Sequence, residues 1–456
     1  MGADDVASQV TSGHEGSDAP DASRSAANER TFRRLLVNTL VSGVTSSFVW
    51  FALTFWVYLE SRSVVATGVI GGTFSLSAAF LGPAFGTFVD RHRKHLAMVV
   101  TTSVSASCFA AATFLFLTVD ADQLLRMRSP WFWMLVALTL LGSVAGQMRG
   151  IALSTCVTLL VPEERRDRAN GLVGTVSGVS FAITSVFSGL VIGNLGMGWA
   201  LYGTLALTVG ALMHLFTIRI DEVAPEAQDG DSTARLDIRG ALDAIRAVPG
   251  LGMLILLAAF NNLLAGVFMA LMDAYGLELV SVQTWGFLWG FISSAFIIGG
   301  LVVAKVGLGS VPVKVVLVGN LVNWVVCSLF TVRSSIVMLA IGTFIWLLLI
   351  PVIEAAEQTV LQKSIPFERQ GRVFGFAQMV ENSAAPLTAF LIGPLAEKEV
   401  MPFMTDGKGA DWIGGWFGTG PERGIALVFT IAGLVGVVVT VAARATRSYR
   451  RLTTAA

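Results

Sequence analysis

The sequence predicts an all-α membrane protein, with twelve transmembrane helices in two six-helix bundles related by a pseudo-two-fold axis. Three observations lead there. Hydrophobic residues fill 54% of the 456 positions and charged residues only 14%, whereas a soluble domain carries about 25% charged residues. Apolar runs long enough to cross about 30 Å of hydrocarbon recur twelve times. A polar gap divides them six and six, and short sequences on its two sides repeat.

The same composition removes several function classes. The formal net charge is zero, so nothing suggests a nucleic-acid partner. Cys108, Cys156 and Cys327 fall inside apolar segments, and read as small buried hydrophobes rather than a disulfide or metal framework. The four histidines are scattered. The sequence offers no nucleophile–base constellation, phosphate-cradling glycine loop or nucleotide motif. An enzyme or an ATP-driven pump is therefore not expected, and no cofactor or metal is implied.

Residues 1–30 hold six acids against two arginines among Ser, Ala and Gly, which reads as a disordered cytoplasmic tail. They lack the basic start and apolar core of a signal peptide, so the first helix is expected to stay uncleaved. The first bundle is placed at 31–218, with spans near 35–59, 67–88, 96–119, 131–161, 170–192 and 197–218. The second, at 251–443, has spans near 251–277, 284–306, 314–332, 335–361, 373–395 and 424–443. A cytoplasmic N-terminus puts 23 of the 31 Lys and Arg residues on the inner side and seven on the outer. The positive-inside bias thus places both termini in the cytoplasm of a multi-pass protein of the cell (inner) membrane. The last segment, 444–456, is a basic cytoplasmic tail.

The linker 219–250 opens acidic, from Asp221 to Asp231. Ile238, Ala241, Leu242, Ile245 and Val248 then recur at helical spacing opposite Arg235, Arg239, Asp243 and Arg246. That pattern predicts an amphipathic helix at the inner interface, serving either as a tether that lets the halves rock or as a passive connector. The repeat lies in the loops after spans four and ten. At an offset of 204, Pro162, Glu164, Arg165, Arg168 and Gly171 match Pro366, Glu368, Arg369, Arg372 and Gly375. Five identities in eleven at corresponding positions indicate duplication into parallel six-span repeats.

Between spans two and three runs Gly82-Pro-Ala-Phe-Gly86-Thr-Phe-Val-Asp90-Arg91-His92-Arg93-Lys94. Its Gly-x-x-x-Gly pair allows two helix backbones to approach closely. The pattern G-x-x-x-D-R-x-R-K resembles the signature loop of the major facilitator superfamily, with His92 where glycine is usual. The repeated loops, the long outer loop 396–423 and Gly418-Thr-Gly-Pro-Glu-Arg-Gly are similar to the drug-exporter branch containing macrolide and enterobactin (siderophore) exporters. The resemblance implies a monomeric secondary transporter that moves a small-molecule substrate against protons across the lipid bilayer. It also implies a cavity lined by spans one, four, seven and ten. One departure concerns antiport: span five, over Gly178–Gly189, lacks the Gly-Pro pair usual in antiporters of the superfamily.

Gating by the inner face is assigned to Gly82, Gly86, Asp90, Arg91 and Arg93. Charge networks of Glu164 with Arg165 and Arg168, and of Glu368 with Arg369 and Arg372, are expected to join them. In the superfamily the inner end of span two packs beside span eleven. Asp90 is therefore expected to meet the start of span eleven near Gly371 and Arg372, where a helix N-terminus favours an anion. Ionisable residues inside spans are functional candidates by default. Glu381 lies about 15 Å into span eleven, and with Glu354 and Arg149 it forms the proton-coupling set. Arg149, within the ridge Gly142-x-x-x-Gly146-x-x-x-Gly150, is expected to pair with Glu381 or Glu354. Of Glu354 and Glu357, one is expected to line the cavity and the other to cap an inner salt-bridge network. Asn261, Asn262, Trp50 and Phe51 are the substrate-cavity candidates. Two other readings stay open: an importer or facilitator of a polar solute, and a transport-inactive membrane sensor.

Overall fold

The computed structural model describes residues 18–61, 64–126, 128–222, 237–447, 449, 451 and 452. Twelve long helices form the spans. Spans one to six are Asp18–Ser61, Val64–Arg91, Lys94–Thr118, Pro130–Leu160, Arg166–Asn194 and Met197–Phe216. Spans seven to twelve are Leu251–Leu279, Val282–Val306, Pro312–Leu329, Ile336–Ser364, Gln370–Leu395 and Pro421–Ala445. No strand occurs among the described residues. Among the described residues, ten helices are long and apolar enough to cross a membrane. The twelve spans form two six-helix bundles, and an even number of spans returns both termini to one face. That face is here called the terminal face, and its opposite the far face.

Local chemistry sets where the helices begin. Span four starts with Ser129, whose side chain accepts from the Trp131 N–H, and Pro130 follows at the first helical position, where a missing N–H does no harm. Ser281 and Ser335 cap spans eight and ten in the same way, accepting from Thr284 and Met338. Span one begins at Asp18, inside the segment expected to be disordered. Alanine-rich sequence and the Glu29–Arg33 pair at i,i+4 favour a helix there. Residues 1–17 lie outside the described residues, as does most of the acidic stretch of the linker. The amphipathic linker helix is present at Ile238–Ala247, with Ala241, Ala244 and Ile245 buried. On the far face, buried Arg423 ties the long loop down by donating to the carbonyls of Phe417 and Val332.

Span one packs against spans four, five and six, and span three against four and six. In the second half, span seven meets eleven, eight meets ten, and nine meets ten and twelve. The halves join mainly at two crossings, span two on span eleven and span five on span eight. The distribution of the core follows from these crossings. One hydrophobic cluster runs through both halves near the terminal face, including Val89, Leu160, Val303, Val360 and Val373. Towards the far face it gives way to two clusters, one around Phe109 and Phe132 in the first half and one around Phe268 and Phe429 in the second. The cleft between the bundles is thus closed on the terminal side and parted on the far side.

Glycine makes both crossings possible. A Cβ on Gly82 would sit 2.7 Å from the Gly375 carbonyl oxygen, and one on Gly86 still closer to that of Gly371. In the second crossing, Gly171 and Gly300 abut the backbone nitrogens of Ala304 and Thr175. Overpacking of this kind destabilises by about 1–3 kcal/mol. Gly82→Ala and Gly86→Ala should therefore lower the thermal unfolding midpoint by several degrees. Gly203→Ala, where no atom lies within 4 Å of the added Cβ, should not lower it.

Candidate functional site

The terminal-face closure centres on Asp90. Its carboxylate oxygens accept from the backbone N–H of Gly371 at 2.6 Å and of Arg372 at 2.9 Å. The Arg372 guanidinium adds a bond at 3.0 Å. The first turn of a helix has unpaired N–H groups and partial positive charge, so an acid here completes span eleven. Arg372 also donates to Asp237, the residue that caps the linker helix by accepting from the Gly240 N–H at 2.7 Å. The linker is therefore bonded to the same guanidinium that holds spans two and eleven together.

Lys94 contributes more than the sequence suggested. It is buried, its ammonium donates to the Val89 carbonyl at 2.9 Å, and it lies over the ring of Phe367 from the other half. A cation at the C-terminal end of span two complements the helix dipole. Arg91 and Arg93, by contrast, are exposed. Glu222 receives the Lys94 and His95 N–H groups at the start of span three. Neither Lys94 nor Glu222 stood among the gating candidates, because only the fold shows which charges turn inward.

The second crossing uses its own acid with the polarity reversed. Asp167, the repeat counterpart of Gly371, accepts from the Leu308 N–H at 2.8 Å just past span eight. Arg166 and its counterpart Gln370 do one job in the two halves, donating back to the last carbonyls of spans four and ten. Asn170 bridges the halves by donating to Thr359 and Gln362, both at 2.9 Å.

The expected networks within the repeat loops are not formed. Glu164, Arg165, Arg168, Glu368 and Arg369 are exposed, and of the six residues only Arg372 enters an ion pair among the described residues. Each Pro-x-Glu-Arg stretch makes a 3-10 turn, Glu163–Arg165 and Phe367–Arg369, which points its charges to water. Asp167, Asn170, Gly371 and Arg372, which follow the turns, reach the other half instead.

Arg149 also differs from expectation. It is buried, but its guanidinium bonds Asn38 and Ser42 of span one rather than Glu381 or Glu354. Asn38 in turn contacts His214 at 3.1 Å. Arg149 faces into the first bundle, whereas both acids belong to the second. Trp50 stacks on Phe74, with ring centroids 5.1 Å apart, and Phe51 meets Phe181 edge-on at 6.3 Å. Asn261 is engaged with Asn320 and Trp324 of span nine, and Asn262 beside it is half-buried.

The acids gather where spans ten and eleven pass each other. Glu357 and Glu381 come together from spans ten and eleven, close enough for their carboxyls to interact. A carboxylate only accepts, so two carboxyls this close can hydrogen-bond only when one of them carries a proton. The structure places Glu357 beside Glu381, and neither Glu354 nor Glu357 enters the expected salt-bridge network among the described residues. Glu354 lies close enough to act on both and keeps solvent-accessible surface. Pro351, one turn earlier, removes a rung from the span-ten ladder where that span passes Gly174 of span five and Gly299 of span eight. Among the described residues, no ion pair reaches any of the three acids.

Two bundles around a cleft that is sealed at one end and holds polar groups at mid-depth define a membrane transporter. The chain belongs to the Major Facilitator Superfamily, whose model matches residues 35–389. It is 22% identical over 389 residues to Macrolide efflux protein A of Streptococcus pyogenes, covering 80% of this chain and 89% of that one. Macrolide efflux protein A of Enterococcus faecalis is 23% identical over 344 residues, covering 72% and 99%. The fold is similar to the crystal structure of a bacterial homologue of the iron transporter ferroportin in the outward-facing state. That match has a TM-score of 0.69 at 15% identity and covers 91% of this chain and 100% of the other.

A partly buried anion at a helix N-terminus contributes up to ~2 kcal/mol, and about 1.4 kcal/mol is tenfold in an equilibrium. Asp90→Asn should therefore shift the closed-to-open ratio of the terminal face by roughly tenfold towards open. Distances between spin labels at exposed positions 165 and 369 would report it. Arg93→Gln should leave those distances unchanged.

Proposed function

We propose that the protein exports a small amphipathic molecule across the cell membrane in exchange for protons, with both termini in the cytoplasm. The observation that carries this reading is the carboxyl pair of Glu357 and Glu381 beside solvent-accessible Glu354. Neighbouring carboxyls that can hydrogen-bond only by sharing a proton, placed next to an open cleft, are suited to picking one up and releasing it. Export is supported by the names of the relatives and cytoplasmic termini by the 23 of 31 basic residues on one side. A polar-solute importer is less well supported, because Asn38, Ser42, Arg149 and Asn261 are bonded to one another or to neighbouring helices.

In this reading the far face is extracellular and the closure at Asp90 belongs to the outward-facing state. The bonds from Asp90 to Gly371 and Arg372 exist only while that face is shut. A residue shifts an equilibrium only by its difference between the two states, and Asp90 makes such a difference. Protons entering the open cleft reach Glu354 first and then the Glu357–Glu381 pair. Neutralising the acids lowers their mutual repulsion and lets spans ten and eleven repack as the terminal face opens. Pro351 supplies a point where span ten can bend.

Glu381→Gln retains a side chain that hydrogen-bonds Glu357 but cannot exchange a proton. The variant should still bind substrate and should lose pH-gradient-driven export, with a rate at least ~100-fold down in proteoliposomes. Normal gradient-driven export by a well-folded Glu381→Gln protein would refute the assignment.

A further inference from the structure

A groove of about 390 Å³ opens between spans nine and ten at the far-face end of the second bundle. Val326, Leu329 and Phe330 line it from one side, Ser335, Val337 and Ile341 from the other. Gly342 lets the two helices meet at its base, since an added Cβ there would strike Phe330. Leu329, Val337 and Ile341 are each more than half exposed. The contacts of span nine run to spans ten and twelve, and those of span ten chiefly to five, eight and nine. The groove therefore faces out of the bundle, towards the membrane. Along span ten it runs from Ser335 to Ile345, about 15 Å, which is half of the ~30 Å hydrocarbon core. Its length is that of one leaflet. The polar end is built differently. Arg333, two residues before Ser335, is exposed and enters no ion pair among the described residues. Its loop is held fast: Arg423 donates to the Val332 carbonyl at 2.7 Å and to the Ser334 hydroxyl at 3.2 Å, and Thr331 donates to the Ala426 carbonyl at 3.2 Å. No acid occurs between Leu329 and Ile345. Ser335 accepts from the Met338 N–H at 3.4 Å, which leaves its own O–H to donate.

We propose that this groove is a binding site for an anionic phospholipid of the far leaflet, with one acyl chain between spans nine and ten and the phosphate on Arg333 and Ser335. An acyl chain that leaves bulk lipid for the groove gains no hydrophobic energy, because hydrocarbon surrounds it in both places. Close packing and the polar end must then supply the preference. A guanidinium presents two parallel N–H groups to two phosphate oxygens, and a rigid loop holds it at headgroup level. A choline headgroup returns a positive charge to the side of Arg333, whereas an anionic headgroup does not. A free phosphate would leave the apolar walls unused. The groove ends at Ile345, six residues before Pro351, so the bound chain braces the part of span ten that precedes its proline. The site stands apart from the cleft and is independent of the direction of transport.

Native mass spectrometry of the purified full-length protein in an uncharged detergent, titrated with phosphatidylglycerol or phosphatidylcholine of identical chains, gives a Kd for the first lipid bound. Phosphatidylglycerol should bind more tightly by roughly fivefold, the equivalent of the ~1 kcal/mol that one basic side chain gains at an anionic lipid surface. Arg333→Gln should remove that difference, and Arg333→Lys should restore most of it. Ile341→Trp and Val337→Trp, at exposed positions in the groove, should fill the space and weaken both lipids. Val318→Trp, equally exposed on span nine but outside the groove, should weaken neither. Glycerol phosphate, a headgroup without chains, should not compete. Equal affinity for the two lipids in the wild type would overturn the proposal. So would a headgroup preference that survives Arg333→Gln, competition by glycerol phosphate, or first-lipid binding unchanged in both tryptophan variants at an unchanged unfolding midpoint.

Discussion

Backbone contact between spans two and eleven sets the geometry of the terminal face. Four glycines, Gly82, Gly86, Gly371 and Gly375, let the two helices approach until a Cβ added to any of them would strike a carbonyl oxygen of the other helix. Only at that distance can the short side chain of Asp90 reach two consecutive N–H groups of span eleven. The Arg372 bond to Asp90, and through it the tie to Asp237 and the linker helix, depends on the same approach. An alanine at Gly86 would separate the helices, and the acid would then face unpaired amides across a gap.

The two crossings solve one problem with different residues. In each, a carboxylate satisfies backbone amides that hydrocarbon would leave bare. At the first crossing the acid sits on the end of span two and the amides on span eleven. At the second, Asp167 sits at the start of span five and the amide just past span eight. Duplication preserved the requirement but not the side that supplies the charge. The C-terminal ends of spans four and ten show the same freedom, where Arg166 and Gln370 serve equivalent carbonyls with different chemistry.

The bundles differ more in their interiors. The first half buries a cation, and answers it with the neutral oxygens of Asn38 and Ser42. The second half gathers three acids and answers them with no cation among the described residues. A guanidinium delocalises its charge and makes several directional bonds, so neutral acceptors can hold it. Carboxyls brought close together have no such recourse and can hydrogen-bond to one another only when one is protonated. This asymmetry, rather than the fold, gives the cleft its chemical character.

The sequence by itself determined the class. Twelve apolar runs, a duplicated Pro-x-Glu-Arg loop and the Gly-x-x-x-Gly-x-x-x-Asp stretch identify the two-bundle architecture, because segment length and hydropathy are properties of the chain alone. It also singled out Asp90, Arg372, Glu354 and Glu381 as charges in unusual places. What it could not supply was direction. A residue's depth in a helix follows from counting at about 1.5 Å per residue, but the face it turns to a neighbour depends on how the helices are rotated and packed. Hence Arg149 was expected to meet Glu381 and meets Asn38, the exposed Glu164 and Arg165 gave way to Asp167 and Asn170, and Lys94 turned inward where Arg91 and Arg93 do not. The pairing of Glu357 with Glu381 was decided only when spans ten and eleven came together, since no spacing within one segment brings acids from two helices into contact.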